Sequence, residues 1–378
     1  MKRQNKIPAF AKLLTVARHS SDISEITMQL TRSIYIIILV LLTYCSFAQT
    51  TQINKVNTSA AEAYFKVADA IKSASGEDNT AWQLLFGTPI YQMMIAGRAI
   101  DTIALKAEMR HVFGPSTSNS QAGLSANELY HRSYKDNRRQ LENYIAVLHR
   151  PGIVDSIKAL LYPFLPVRLQ SDSLFPTLFY LNYGTPEGTG YAGIVINDLL
   201  HSYRIDNYKF GLLTAHEAFH SIVSVAFQQA LKKNMNYNAA DFNLLYFLQN
   251  VSEEGIADLI DKPLLLKKGS PVYDKVKQLT SNDEIFSIQC IRSIDSLLKL
   301  SLTSEHVLQQ YNRFSDLANT FGRNGGHIPG RFMGTVIQKE KLLEKHITAV
   351  EDPISFILTY NEAAKKRREN ILFFQKKV

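Results

Sequence analysis

The chain of 378 residues reads as a helix-rich α+β protein. Three observations predict this. Amphipathic runs at helical period fill most of the length, a single zone near residue 180 turns to short β-branched and aromatic stretches, and the helical period returns after residue 209. The small sheet is therefore expected just ahead of the helix that carries HEAFH.

Taken in order, the first element is a leader. Ile34 to Leu42 is an uncharged apolar run, too short to span a bilayer comfortably, and Arg32 flanks it. Ser46 and Ala48 place small residues where a signal peptidase inspects the chain, so residues 1–48 are expected to be a signal peptide cleaved after Ala48. Met28, followed by QLTR, offers a start that gives this leader an ordinary length. Cys45 also stands in a loosely lipobox-like setting, and Tyr44 argues against lipidation there. The expected location is periplasmic or secreted, with membrane contact only through this segment or a lipid at Cys45.

Residues 49–170 form a helical region, with runs such as AAEAYFKVADAIKSA from Ser59 onward and ELYHRSYKDNRRQLENYIAVLHR, divided by the polar break GPSTSNSQAG at 114–123. The region 171–378 opens with TLFYLNYG (177–184) and YAGIVIND (191–198), which flank TPEGTG as strands around a turn would. Helices are expected at Lys209–Lys232, Asp241–Asp261, Asn282–Leu300, Ser304–Asn319, Met333–His346 and Pro353–Phe374. Asp241 is placed to cap the second of these and Pro263 to stop it.

Composition excludes some functions. The leader holds six of the 42 basic residues and two of the 34 acidic ones, leaving 36 against 32, so the remainder carries only +4 and has no nucleic-acid signature. Of two cysteines only Cys290 lies beyond the leader, so the mature chain has no internal disulfide.

The chemistry sits in LLTAHEAFHS. On a helix His216 and His220 lie one turn apart on one face, so both imidazoles can ligate one zinc ion. Glu217, one residue round, can take a proton from a water activated by the metal and pass it to a leaving amine. Phe210, Leu213, Phe219, Ile222 and Val223 give this helix an apolar, buried character. A catalytic zinc needs a third protein ligand. In NVSEEGIADLIDKP, Glu254 can supply it, and Asp258, four residues on, can accept the free N–H of a zinc-bound histidine. Gly255 removes a side chain where two helices must approach closely. Glu253 is the other candidate ligand, but the residue four on from it is Ala257.

HEAFH followed by EEGIAD resembles the gluzincin zinc metallopeptidases, and is similar to a bacterial domain family described as a zinc-dependent peptidase. The resemblance covers residues 177 to 335. It implies a zincin-like catalytic core with a helical C-terminal subdomain, Zn2+ as cofactor, His216, His220 and Glu254 as ligands, Glu217 as base, Asp258 behind the ligands, and a peptide or protein as substrate. It further implies an edge strand against which the substrate lies, a position that YAGIVIND fits as well as it fits an ordinary core strand. It also implies a tyrosine or histidine that stabilises the oxyanion. His327, in the glycine-rich GRNGGHIPGRFMG with Arg331 behind it, is the candidate, and a plain surface turn is the competing reading of that stretch. The residues also accommodate a non-catalytic exported scaffold with a structural zinc, which has no use for Glu217, and a zinc hydrolase of a non-peptide amide.

Overall fold

The computed structural model describes residues 55–73, 79–115, 123–184, 187–233, 239–270, 272–274, 277, 283–303, 314–322 and 324–367. The leader expected over residues 1–48, with Cys45 and Ala48, lies outside them. No helix among the described residues is long and apolar enough to cross a membrane.

The fold is helix-rich α+β, as the periodicity predicts. Residues 66–123 cluster as one compact unit and 54–65 with 124–378 as a second, the boundary falling inside helix α1 (Ser59–Lys72). The first unit holds α2 (Asn79–Phe86), α3 (Pro89–Ala96) and α4 (Thr102–Phe113). Asp101 starts α4 by accepting from the backbone N–H groups of Ile103 and Ala104.

The second unit contains the sheet. A two-residue strand that periodicity does not reveal, β1 (Val56–Asn57), runs parallel to β2 (Thr177–Leu181), and β2 runs parallel to β4 (Ile194–Asp198). Between β2 and β4 the chain turns back as β3 (Gly188–Tyr191), antiparallel to β4 and at the sheet edge, in the order β1-β2-β4-β3. This corrects the expected pair of strands around TPEGTG. The second half of that stretch is itself a strand, and YAGIVIND breaks after Tyr191. Ala192 and Gly193, both at positive φ (48° and 88°), form the two-residue turn that joins β3 to β4. The edge strand is therefore β3, while β4 pairs on both sides and belongs to the core.

Before the sheet come α5 (Ala126–Asp136), α6 (Arg138–Leu148) and α7 (Ile153–Leu161). Ser125 and Glu128 close a reciprocal capping box at the start of α5. After the sheet, Asp198 caps α8 (Leu199–Asp206), its Oδ1 accepting from His201 N at 2.7 Å. The same carboxylate accepts the hydroxyls of Tyr130 and Tyr134 through Oδ2, which ties α5 to the end of β4.

The HEAFH helix, α9 (Leu212–Lys233), is buried continuously from Leu212 to Ser224. A helix buried along such a stretch needs neighbours on most of its sides. Here β3, β4, α7, α8 and α10 (Ala239–Leu265) supply it. Helix α10 starts two residues before Asp241, which sits in its first turn, and continues through Pro263 to Leu265. Proline removes one backbone donor, and so close to the end this shortens the helix by nothing.

The C-terminal part is helical: α11 (Asp283–Thr303), α12 (Phe314–Leu317), α13 (His327–Lys339), α14 (Leu343–Ile347) and α15 (Pro353–Arg367). Residues 304–313, expected to begin a helix, lie outside the described residues. Helix α13 overturns the reading of GRNGGHIPGRFMG as a loop, since its second half is helical from His327 onward. Its glycines serve close packing. A Cβ on Gly255 of α10 would lie 2.5 Å from the carbonyl oxygen of Gly330, and Gly334 meets the Gly255 backbone just as closely. The close approach foreseen at Gly255 is thus between α10 and α13.

Candidate metal centre

Helices α9, α10 and α13 and strand β3 wall a cleft of about 930 Å³, open to solvent. Into it project His216, Glu217 and His220 from α9, Glu253, Glu254, Asp258, Asp261 and Lys262 from α10, and His327 and Arg331 from α13. All six residues singled out in the sequence line this one cleft.

The tightest convergence involves three atoms. His216 Nε2 and His220 Nε2 are 3.2 Å apart, and Glu254 Oε2 lies 3.3 Å from the second and 3.8 Å from the first. Ligand atoms at ~2.0–2.1 Å from a tetrahedral zinc are about 3.3–3.4 Å from one another. Two edges of the triangle are therefore close to what a zinc ion requires, and the third, from His216 to Glu254 at 3.8 Å, is a few tenths of an ångström long. The chemistry of the donors fits as well, because two imidazoles and a carboxylate are a common catalytic zinc set. Glu254 Oε2 is buried and, although ring nitrogens crowd it, none meets it in hydrogen-bonding geometry. A buried carboxylate oxygen without a donor is costly, and a cation between it and two ring lone pairs removes the cost.

Electrostatics bind the same groups together. Burial disfavours charge on His220, yet Glu254 and Glu253 outweigh it and hold the imidazolium well above its ordinary pKa. Burial likewise opposes ionisation of Glu254, and His220 and His327 overcome it, leaving the carboxyl well below the usual range. His327 is driven down by burial and up, further, by Glu254 and Asp258, to about 10. The carboxylates of this cluster therefore favour positive charge at this point.

The other ring nitrogens also face carboxylates. His220 Nδ1 lies 3.3 Å from Glu253 Oε2, and Gln249 donates to the other oxygen of Glu253 at 2.9 Å. His216 Nδ1 lies 3.3 Å from Asp261 Oδ1 and 4.0 Å from Asp258 Oδ1. A carboxylate behind an imidazole that ligates a metal would fix its tautomer and orientation. Sequence reasoning gave that place to Asp258 alone. Asp261, which it did not single out, is the nearer partner of His216, and the spacing 254, 258, 261 along one helical face is the signal that would have found it.

Asp258 turns instead towards His327. Its two oxygens lie 3.3 and 3.4 Å from His327 Nδ1, which also sits 2.9 Å from Glu254 Oε2. The His327 ring stacks on that of His216 with centroids 6.1 Å apart. Glu217 is 9% exposed and packs under the edge strand: a Cβ on Gly188 would fall 3.0 Å from its Cγ, and Gly190 lies directly on the Glu217 backbone. Glycines at 188 and 190 let β3 rest on the HEAFH helix at the position of the glutamate.

Neither the curated proteins nor the solved structures compared with the chain gave a match. The profile of one protein family, described as "Putative zinc dependent peptidase (DUF5700)", matches residues 82–369, a span that includes HEAFH, EEGIAD and His327. With a donor set able to bind zinc inside that span, the chain belongs to this family of zinc-dependent peptidases.

Proposed function

We propose that the protein is an exported zinc metallopeptidase that hydrolyses peptide bonds with Glu217 as general base. The convergence of His216 Nε2, His220 Nε2 and Glu254 Oε2 carries this reading. These three residues would hold the ion, with Glu253 and Asp261 behind the two imidazoles. Zinc supplies, when bound, Lewis acidity towards the attacking water and the scissile carbonyl.

The remaining steps fall to side chains of this chain. Glu217 lines the cleft beside the ligand triangle, takes the proton of the attacking water and returns it to the departing amine. His327, steered by Asp258, faces the same space and donates to the oxyanion as it develops. β3, the outermost strand of the sheet among the described residues, runs over Glu217, so an extended peptide paired with it by strand addition passes the base. Export rests on the apolar run Ile34–Leu42 and the small residues ending at Ala48.

The test is metal analysis of the purified chain together with Glu217→Gln. That variant is expected to keep one zinc per chain and to lose peptide hydrolysis by at least about 10²-fold, within the range of a missing general base. Undiminished cleavage of a mixed peptide library by Glu217→Gln, or full activity in excess chelator, overturns the mechanism.

A further inference from the structure

Four carboxylates, Glu253, Glu254, Asp258 and Asp261, occupy nine residues of α10 and line one cleft. The zinc site proposed above takes only Glu254 as a ligand. Yet the cluster does not run out of donors there. Glu254, Asp258 and His327 bring ligand atoms within 4.8 Å of one another, as do His216, Asp258 and Asp261. Asp258 belongs to both sets. Carboxylates shared between neighbouring donor sets are what two-metal hydrolase sites use to hold ions about 3.5–4 Å apart.

Lys262 stands against a second ion. It lines the same cleft, and its Nζ lies 3.2 Å from Asp258 Oδ1 and 2.8 Å from Asp261 Oδ2. Asp258 Oδ1 is also the oxygen 3.3 Å from His327 Nδ1, so the atom a second ion would need is already shared by a cation. Both aspartates are 2% exposed, so their charge calls for a partner within the protein. We propose that Lys262 is a built-in counter-cation that limits this cluster to a single metal ion, by engaging the two aspartates that would otherwise complete a second site.

The inference rests on the zinc site proposed above. Burial works against the ammonium, but Asp261 and Asp258 outweigh it and keep Lys262 protonated over any working pH. A second divalent ion would have to enter beside that fixed charge and take Asp258 from it, which like-charge repulsion opposes at such short range. The same ammonium holds Asp261 by Oδ2 while Oδ1 faces His216, and it shares Asp258 Oδ1 with His327.

The experiment counts cobalt(II) ions per chain, by elemental analysis after equilibrium dialysis, in the parent, in Lys262→Arg and in Lys262→Met. One ion is expected in the parent and in Lys262→Arg, which keeps the charge, and two in Lys262→Met, with a second set of cobalt absorption bands. One ion in a folded Lys262→Met overturns the proposal, as do two in the parent. A parent that binds none overturns the zinc site itself, a separate failure. Should Lys262→Met not fold, Lys262→Gln carries the same expectation, and the parent at millimolar cobalt must still stop at one.

Discussion

The packing of α10 on α13 ties the fold to the metal centre, and Gly255→Ala tests the link. A Cβ at 255 would lie 2.5 Å from Gly330 O and 2.8 Å from Phe356 Cζ, where ordinary contact begins at 3.4 Å. The phenyl ring can shift, but the backbone carbonyl cannot. The two helices must therefore part by about 0.9 Å at this point, the difference between those distances. Overpacking of this kind costs about 1–3 kcal/mol of stability. Glu254 is the adjacent residue, and a zinc site tolerates ligand displacements of only about 0.2 Å. The variant is expected to melt at lower temperature and to bind zinc at least about tenfold more weakly, ~1.4 kcal/mol, by competition with a chromogenic chelator. Gly269→Ala separates the two effects. With φ at 102° and nothing within 4 Å of its Cβ, it should cost about 1–2 kcal/mol of stability and leave zinc affinity alone. Parental zinc affinity in a folded Gly255→Ala would refute the idea that helix spacing sets the ligand triangle.

Three further outcomes follow from the same geometry. Asp261→Asn and Glu253→Gln each remove the carboxylate behind one imidazole, and each should weaken zinc binding by about 10–100-fold, read by chelator competition. Gly188→Ala places a methyl 3.0 Å from Glu217 Cγ, a few tenths of an ångström inside ordinary contact, so zinc content should hold while kcat drops by up to about tenfold, less than the ~10²-fold that a full ångström of misplacement costs. Burial pushes the Asp198 carboxyl up to about 6, against the hydroxyls of Tyr130 and Tyr134 that favour its ionised form. A folded-state pKa above the unfolded 3.8 means a contribution present in full below pH 4 and lost as pH rises through 6, about 3 kcal/mol in all. Denaturant titrations from pH 4 to 7 should show that share of the slope in the parent and not in Asp198→Asn.

What the sequence discloses, and what it hides, divides along physical lines. The helical period gave α9 and α10 to within a few residues because each buries a long stretch, and HEAFH with EEGIAD marked side chains that the fold brings together in a set able to hold a metal. The β3 edge was hidden because Gly188 and Gly190 carry no side chain to alternate. Glycine reads as turn, whereas here its lack of a Cβ lets the strand lie on Glu217. The same ambiguity turned α13 into an apparent loop: Gly330 and Gly334 serve contact with α10, which only the fold reveals. Strand β1 is two residues long, too short for any period to show.

The order of acids along α10 is itself a consequence of how α9 and α10 meet. His216 faces Asp261 and His220 faces Glu253, so the pairing runs in opposite directions along the two helices, as it must for antiparallel neighbours. Between those outer contacts a carboxylate that is to serve as ligand must point at Nε2 of both α9 histidines, and Glu254 does so. Glu253, a residue earlier, is rotated by about 100° on the helix and reaches Nδ1 of His220 rather than Nε2. The two glutamates therefore cannot exchange roles. Glu254→Ala should lose tight zinc binding although Glu253 is adjacent and ionisable, whereas Glu253→Ala should keep the ion and bind it more weakly. Equal zinc affinity in the two variants, measured against the same chelator, would place the third ligand elsewhere on α10.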